Sequence, residues 1–138
     1  MKNVKFRIRA FTLLESLLVL FIVSFVLLLF TGSVKQSLHI VRGELFVLEF
    51  ERLYIDTQHT AGLKGQRQSL QLVDKELRGD GRKIVLPVEV QMDEFSLVFD
   101  EKAGNSSLKK LKIYLPYQEK TISYQLELGS GKYKKTIH

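Results

Sequence analysis

The first third of the chain carries one long apolar run. Sixteen of the 20 residues from 11 to 30 are apolar, and Glu15 is the only charged residue in this range. With the four residues that follow, the run would form a helix about 36 Å long. A hydrocarbon core of about 30 Å needs roughly 20 such residues. The pattern therefore predicts a transmembrane helix over residues 11–34.

A second apolar pattern follows this run. Apolar residues recur at spacings of 4, 3, 4 and 3, which is typical of one face of a helix: Val34, Leu38, Val41, Leu45 and Leu48. We expect this stripe to pack against the chain's own sheet, and a coiled-coil dimer is the alternative. The helix is predicted over residues 12–60, with Gly62 as its C-terminal cap.

From Gly65 onward, apolar and polar residues alternate with a period of two. Such alternation, bounded by Gly, Asn, Asp and Ser, is typical of half-buried antiparallel strands. A turn is expected at residues 78–81 and a loop at residues 102–107. The strands are predicted around Leu70 and Leu72, Ile84 and Leu86, Phe95 to Phe99, Leu111 to Leu115, Ile122 to Leu128, and residues 132–137. The sequence thus predicts an α+β fold, in which the C-terminal half of a long helix packs on a small antiparallel β-sheet.

Basic residues cluster at the start of the chain. The formal net charge is +6, and four of these charges come from Lys2, Lys5, Arg7 and Arg9. Positive charges before a transmembrane helix keep the short N-terminus in the cytoplasm, so the rest of the chain is expected outside. The excess charge therefore indicates membrane targeting more than nucleic-acid binding. The sequence has no cysteine, which excludes disulfides, thiolate zinc sites and cysteine nucleophiles.

Glu15 is the most informative residue of the chain. A carboxylate inside a membrane segment costs free energy and is a functional candidate by default. Residues 10–34 contain no Lys or Arg that could neutralise it. If the chain were cut between Ala10 and Phe11, the new α-amino group would lie about one helical turn from the carboxylate. Cleavage would create the missing cation. A secretory signal peptide and a plain signal anchor are the alternatives.

The basic leader, the small residue Ala10 and the run Phe-Thr-Leu-Leu-Glu before an apolar helix resemble the class III signal of the type IV pilin family. The resemblance implies a pilin-like fold, cleavage after Ala10 by a prepilin peptidase, and N-methylation of Phe11. It also implies that Glu15 neutralises the N-terminal amine of a neighbouring subunit during assembly. The family usually has Gly where this chain has Ala10, which is the one departure that bears on cleavage.

The chain is short and lacks cysteine, residues 99–104 precede a strand, and residues 128–133 form a terminal hairpin pattern. With these features the chain looks, within that family, most like a minor pseudopilin of Gram-positive competence systems. The resemblance implies a subunit of a transformation pilus for DNA uptake, which works with other pilin-like subunits, a prepilin peptidase, an assembly ATPase and platform protein, and the membrane. It implies a leader (1–10), a transmembrane or filament-core half-helix (11–34), an amphipathic half-helix (35–62) and a head domain (63–138). A type II secretion-like pseudopilin and a membrane-anchored DNA receptor are the alternatives. Neither an enzyme nor a cofactor is expected.

Lysines are concentrated in the last third of the chain, where they are candidates for DNA contact: Lys109, Lys110, Lys112, Lys132, Lys134 and Lys135. If their strands are neighbours, these lysines form a basic strip that could contact phosphates without reading sequence. Tyr114 and Tyr133 could then stack on bases. The simpler interpretation, which we favour, is that the lysines keep strand edges soluble.

Two carboxylate pairs and two histidines complete the candidate chemistry. The acidic pairs at residues 93–94 and 100–101 flank a predicted strand and could bind calcium. Because the calcium-loop pattern is absent, we interpret them as solvated strand ends. His39 and His59 lie 20 residues apart, with no nearby carboxylate pattern that suggests a metal site, so we expect exposed or edge residues of the helix and no metal site. The sequence contains no pattern of a nucleophile with its base, of a phosphate loop or of a metal triad.

Overall fold

The computed structural model describes residues 2–105 and 109–138, with side chains from Ala10 onward. One long helix, α1, spans Lys2–Lys64. A short 3₁₀ helix spans Pro116–Gln118. The strands are β1 (Gln68–Val73), β2 (Glu76–Gly79), β3 (Arg82–Val85), β4 (Gln91–Met92), β5 (Phe95–Phe99), β6 (Lys110–Leu115), β7 (Lys120–Leu126) and β8 (Tyr133–Ile137). This order of one long helix and then antiparallel strands confirms the predicted α+β, pilin-like architecture.

The chain forms two compact units, which divide between Leu38 and His39. We call Met1–Leu38 the anchor unit and His39–His138 the head unit. Over Ala10–Lys64, α1 contains an 18-residue window with a mean hydropathy of 2.8, and none of that window is buried. By length and composition, α1 can cross a membrane.

The helix ends later than the sequence pattern predicts. Gly65 has a φ of 58°, in the left-handed region where glycine carries no Cβ penalty. The Gln66 N–H donates to the Ala61 carbonyl at 3.3 Å, which completes a Schellman motif. Gly62 stays inside the helix, so the prediction of Gly62 as the cap is wrong.

Within the described residues, the eight strands form two four-stranded antiparallel sheets. The strand order is β3-β2-β1-β5 in the first sheet and β4-β6-β7-β8 in the second. The predicted turn at residues 78–81 is only two residues long: Asp80 and Gly81 have φ values of 47° and 71°, as in a type I′ hairpin. The strands β2 and β4 were missing from the prediction. The loop expected at residues 102–107 is described only as far as Asn105, and its remainder lies outside the described residues.

One hydrophobic core lies inside the head unit and includes residues of α1 and of both sheets. The strands β5 and β6 alternate between buried and exposed positions, as the period of two predicts. The core residues of the strands include Leu70, Leu72, Leu77, Leu97, Phe99, Leu111, Ile113, Leu115, Ile122 and Leu126. The C-terminal half of the helix therefore packs on sheet, as expected.

The face of α1 that enters this core differs from the predicted one. Val41, Leu45 and Leu48 are 52%, 52% and 60% exposed, whereas Phe46 and Phe50 are 2% and 1% exposed. The prediction that the Leu and Val stripe packs on the chain's own sheet is wrong. The segment of α1 in the head unit has two apolar faces, and only the aromatic one is covered.

Small residues explain why the buried face was missed. Gly43, Thr57 and Ala61 interrupt its apolar pattern, and all three are buried. A Cβ at Gly43 would lie 3.2 Å from Leu115 Cδ2, so the sheet approaches the helix closely there. A close approach favours small side chains, which a search for large apolar residues does not detect.

Candidate functional site

Phe11 and Glu15 lie four residues apart in the anchor unit, on one face of α1. Phe11 is 71% exposed and Glu15 is also exposed. Glu15 lines a shallow groove along the helix together with Thr12, Ser16 and Val19. A cation on the Phe11 backbone nitrogen would lie about 6 Å along the helix axis from the level of Glu15. The carboxylate of Glu15 therefore lies about one helical turn from the Phe11 nitrogen.

The second sheet brings together three of the six candidate lysines. Gln125 belongs to the central strand β7 and pairs with Lys110 of β6 on one side and with Lys134 of β8 on the other. Lys112 lies two residues along β6, so it shares their face of the sheet. All three are exposed. We call Lys110, Lys112 and Lys134 the lysine face.

The other three candidate lysines lie elsewhere. Lys135 belongs to the opposite face of β8, where its Nζ lies 2.6 Å from Glu51 Oε1 and 6.0 Å from the centre of the Tyr124 ring. Lys109 donates from Nζ to the Ser96 carbonyl at 2.8 Å. Lys132 belongs to the turn before β8, where its carbonyl accepts from the Glu127 N–H. The structure therefore does not gather all six lysines into one strip.

The two candidate stacking tyrosines also separate. Tyr114 is 37% exposed and lies two residues from Lys112 on the same face of β6. Tyr133 faces inward, with ring-centre distances of 5.0 Å to Tyr54 and 5.1 Å to Tyr124. Burial raises the pKa of the Tyr133 hydroxyl. Of the two rings, only Tyr114 accompanies the lysine face.

A polar cluster that sequence reasoning missed surrounds Glu89, which is only 5% exposed. Its Oε1 lies 2.8 Å from His39 Nδ1 and 3.4 Å from Arg42 Nη1. The ring of Tyr117 stacks on His39 with 4.4 Å between ring centres. The hydrogen bond with His39 holds the pKa of the Glu89 carboxyl below its usual range. His39 is therefore a structural partner of Glu89, a role that the sequence pattern did not indicate.

A second polar cluster ties α1 to two loops of the head unit, the loop after β5 and the turn before β8. The Tyr54 hydroxyl donates to the Gly131 carbonyl at 2.7 Å. Gln58 donates from Nε2 to the Ala103 carbonyl at 3.1 Å. Burial raises the pKa of the Tyr54 hydroxyl, so this group stays a donor. We call these two hydrogen bonds the loop clamp, because they hold two loops against the helix.

One member of each acidic pair accepts hydrogen bonds from the backbone. Asp100 Oδ1 accepts from the backbone N–H groups of Lys102 and Gly104, at 2.9 and 2.8 Å. Glu94 Oε1 accepts from the Asp74 N–H at 3.2 Å. Over the described residues, no group of three or more His, Cys, Asp or Glu could hold a metal ion. The Asp100 carboxylate therefore stabilises the turn that follows it by accepting hydrogen bonds from the backbone of that turn.

The fold and the N-terminal site together define a class of protein. A single long helix with an apolar, uncovered first half carries a carboxylate near its start, and its second half joins an antiparallel head. This is the architecture of a pilin-like protein.

The comparison with known proteins identifies the family. The chain is 40% identical over 133 residues to competence protein ComGD of Streptococcus pneumoniae (strain ATCC BAA-255 / R6). The matched region covers 96% of this chain and 82% of that protein. No protein-family model and no solved structure matches the chain. The chain therefore belongs to the ComGD family of competence proteins, which confirms the resemblance to competence pseudopilins.

Proposed function

We propose that this chain is a minor pilin-like subunit of a competence pilus, with a structural rather than a catalytic role. The observation that carries the proposal is the 40% identity to a competence protein over most of both chains. The apolar helix and the head of two antiparallel sheets support it, because they provide an anchor and a surface for assembly. In this proposal α1 first holds the chain in the cell membrane, with the head unit outside and the N-terminus in the cytoplasm.

Processing is the first step of the proposed function. A prepilin peptidase cuts between Ala10 and Phe11, and Phe11 is then methylated on its new α-amino group. Intact mass of the chain, purified from a strain that has its peptidase, tests this step. The expected mass corresponds to residues 11–138 with one methyl group. Retention of residues 1–10 would contradict the proposal, and faster cleavage of Ala10→Gly would support the assigned site.

Assembly is the second step, and Glu15 is its central residue. As the chain leaves the membrane for the filament, the Glu15 carboxylate pairs with the amine of a neighbouring Phe11, so neither charge stays unpaired in apolar surroundings. Other pilin-like subunits, an assembly ATPase and a platform protein are the proposed partners. A secretion pseudopilin would use the same step, so the assay must read transformation as well as assembly.

The test of assembly is Glu15→Gln, which keeps the shape of the side chain and removes its charge. We expect incorporation into sheared filaments and transformation to fall at least about tenfold, since one unpaired charge costs more than 1.4 kcal/mol in lipid. The control Ser16→Ala changes the next position without altering charge, and both quantities should stay near wild type. Undiminished incorporation of Glu15→Gln would exclude the charge-pairing role.

A second candidate function is direct contact with DNA through the lysine face. Lys110 and Lys134 lie two strand spacings apart, about 9.5 Å, and Lys112 lies about 7 Å along β6 from Lys110. With three phosphate contacts, a plot of the logarithm of the binding constant against the logarithm of the salt concentration would have a slope of about −2.7. Tyr114 adds a surface for stacking on unpaired bases.

Salt-dependent DNA binding by the full chain tests this second function. The triple change of Lys110, Lys112 and Lys134 to Gln should flatten the salt slope by about 2 to 3. A matched control removes three exposed lysines elsewhere on the head unit: Lys75, Lys83 and Lys102. Equal losses in the two triple variants would mean that only net charge matters and would remove the lysine face as a site.

A further inference from the structure

Two loops of the head unit lie against the first turn of its helical segment. Glu89, in the loop of residues 86–90, lies 2.8 Å from His39, which is the first residue of the head unit. The ring of Tyr117, in the 3₁₀ helix, stacks on His39 with 4.4 Å between ring centres. Tyr54 of the loop clamp lies 15 residues further along α1, or about 23 Å. Both loops therefore lie at the end of the head unit where the chain enters it.

Buried neighbours hold Val88 outward at the tip of the first loop. Glu89 and Val90 are 5% and 3% exposed, whereas Val88 is 89% exposed. The Val90 N–H donates to the Pro87 carbonyl at 3.1 Å, so residues 87–90 form a closed turn. The valine at the tip is therefore fixed in solvent by the packing of the residues that follow it.

Tyr117 gives the second loop an amphipathic tip, because its ring is 42% exposed and carries a hydroxyl. We call Pro87, Val88 and Tyr117 the entry pole. Single apolar residues are common on protein surfaces and need no partner. An apolar loop tip beside a half-exposed aromatic ring, however, suits the boundary between lipid headgroups and acyl chains, where aromatic rings are enriched.

The length of the chain limits how far the entry pole can be from a membrane. The predicted transmembrane helix ends at residue 34, and His39 follows five residues later. Five residues span at most about 18 Å, even when fully extended. The headgroup layer on each side of the hydrocarbon core is itself about 5–8 Å thick. The two loops that contact His39 are therefore held close to the lipid headgroups.

Charge does not dominate the surface around the entry pole. The Arg42 side chain is 61% exposed and Glu119 is also exposed, so one charge of each sign faces solvent. Glu44 and Lys120 pair with each other, with 2.9 Å between the carboxylate and the ammonium group. A polyanion needs an excess of positive charge to be attracted. Apolar contact is therefore the attraction that this surface offers.

We propose that the entry pole contacts the lipid of the membrane in which α1 is anchored, before the chain joins a filament. Val88 and Pro87 enter the boundary between headgroups and acyl chains, and the Tyr117 ring lies among the headgroups. The contact holds the head unit at the membrane surface until assembly removes the chain from the lipid. This inference rests on the proposed function, which supplies the membrane anchor, and it adds a lipid-contact surface on the head unit.

Fluorescence of a single tryptophan in the full chain tests this contact. Because the chain has no tryptophan, Val88→Trp carries the only indole, and the chain is placed in vesicles of phosphatidylcholine and phosphatidylglycerol. The matched control is Leu63→Trp, since Leu63 is 88% exposed against 89% for Val88 and lies about 36 Å further along α1 than His39. Lipids with a nitroxide near the headgroup should quench most of the Val88→Trp emission and little of the control's. Equal quenching of the two variants, or none of either, would overturn the proposal.

A nitroxide side chain gives a second measurement, because tryptophan itself favours the interface. The chain has no cysteine, so Val88→Cys can be labelled at one position, with Leu63→Cys as its control. A label in contact with acyl chains meets apolar oxygen more readily than a polar nickel chelate. The ratio of oxygen to nickel accessibility should therefore be higher at position 88 than at position 63. Equal ratios would contradict the lipid contact.

The composition of the vesicles separates apolar contact from attraction by charge. In vesicles of phosphatidylcholine alone, which carry no net charge, the quenching of Val88→Trp should persist, because it depends on buried apolar area. If quenching appears only when phosphatidylglycerol is present, the contact is electrostatic, and its assignment to Val88 and Pro87 is wrong.

Flotation of the wild-type chain separates this inference from the proposed function. The chain should float with the vesicles through its apolar helix. Failure to float would refute the membrane anchor of the proposed function, and the entry pole with it. A chain that floats, with equal quenching at positions 88 and 63, would refute the entry pole alone. Normal transformation in a deletion strain would refute the competence role and leave the lipid contact standing.

Discussion

Removal of the Tyr54 hydroxyl tests how the head unit is closed. Tyr54→Phe keeps the ring contacts, which lie 5.1 Å from Phe99 and 5.0 Å from Tyr133 between ring centres. The change removes the 2.7 Å hydrogen bond to Gly131 and leaves that carbonyl without its donor in a buried position. We expect a loss of about 1.5 kcal/mol in the free energy of unfolding, which is typical for one partner of a buried hydrogen bond.

That loss corresponds to a measurable shift of the melting temperature. The head unit comprises residues 39–138. For a domain of about 100 residues, 1 kcal/mol shifts Tm by roughly 4–8 °C, so Tyr54→Phe should lower Tm by about 6–12 °C. The measurement is thermal unfolding of the full chain in detergent, followed by tyrosine circular dichroism, a signal that reports on the head because all five tyrosines lie there.

The matched control is Tyr114→Phe, which removes a hydroxyl from a residue that is 37% exposed. Its Tm should change by less than about 3 °C, as for most surface substitutions. If Tyr54→Phe also changes Tm by less than about 3 °C, the Tyr54 hydroxyl does not stabilise the head unit, and the reasoning about the loop clamp fails. Tyr54→Leu removes the ring as well as the hydroxyl. If Tyr54→Phe and Tyr54→Leu lower Tm equally, the ring contacts contribute nothing to the stability of the head unit.

Three further predictions concern the head unit. Glu89→Gln should lower the free energy of unfolding by about 1–2 kcal/mol at pH 7. Because the pKa of the Glu89 carboxyl is lowered in the folded state, its stabilisation is lost as pH falls below about 4. The melting temperatures of the wild type and of Glu89→Gln should therefore converge at that pH. Gly79→Ala should cost about 1–3 kcal/mol in urea unfolding, because its Cβ would lie 2.7 Å from both Leu70 Cδ1 and Thr57 Oγ1; unchanged stability would contradict that contact. Burial raises the pKa of Tyr124, so the unfolded chain ionises first and Tm should fall as pH rises above about 10. A flat Tm between pH 9 and 11 would refute this.

Local patterns were sufficient to predict most of the elements of this fold. The strand alternation from Phe95 to Phe99 and from Lys110 to Leu115 appears in the structure as alternating burial. The long helix followed from a continuous apolar run, and the family followed from the sequence around Glu15. Each of these signals is contained within a few consecutive residues, so no tertiary information was needed to interpret it.

The errors arose where burial depends on distant partners. The spacing of Leu45 and Leu48 correctly indicated an apolar face, but nothing local showed that Phe46 and Phe50 would take the core position instead. Similarly, His39 and Glu89 are 50 residues apart, and only the fold brings their side chains to 2.8 Å. The lysine face needed strand register, which places Lys134 beside Lys110 and turns Lys135 to the opposite side.

The loop clamp has a consequence for where the head can fold. Secreted domains of this size are often closed by covalent bridges that form only under oxidising conditions. Here Tyr54 and Gln58 hold the turn before β8 and the loop after β5 by hydrogen bonds alone, in a chain that has no cysteine. The native state is therefore independent of redox potential and of thiol oxidases. The head can reach the same fold in a reducing cytoplasm as outside the cell, and its melting temperature should be unaffected by dithiothreitol.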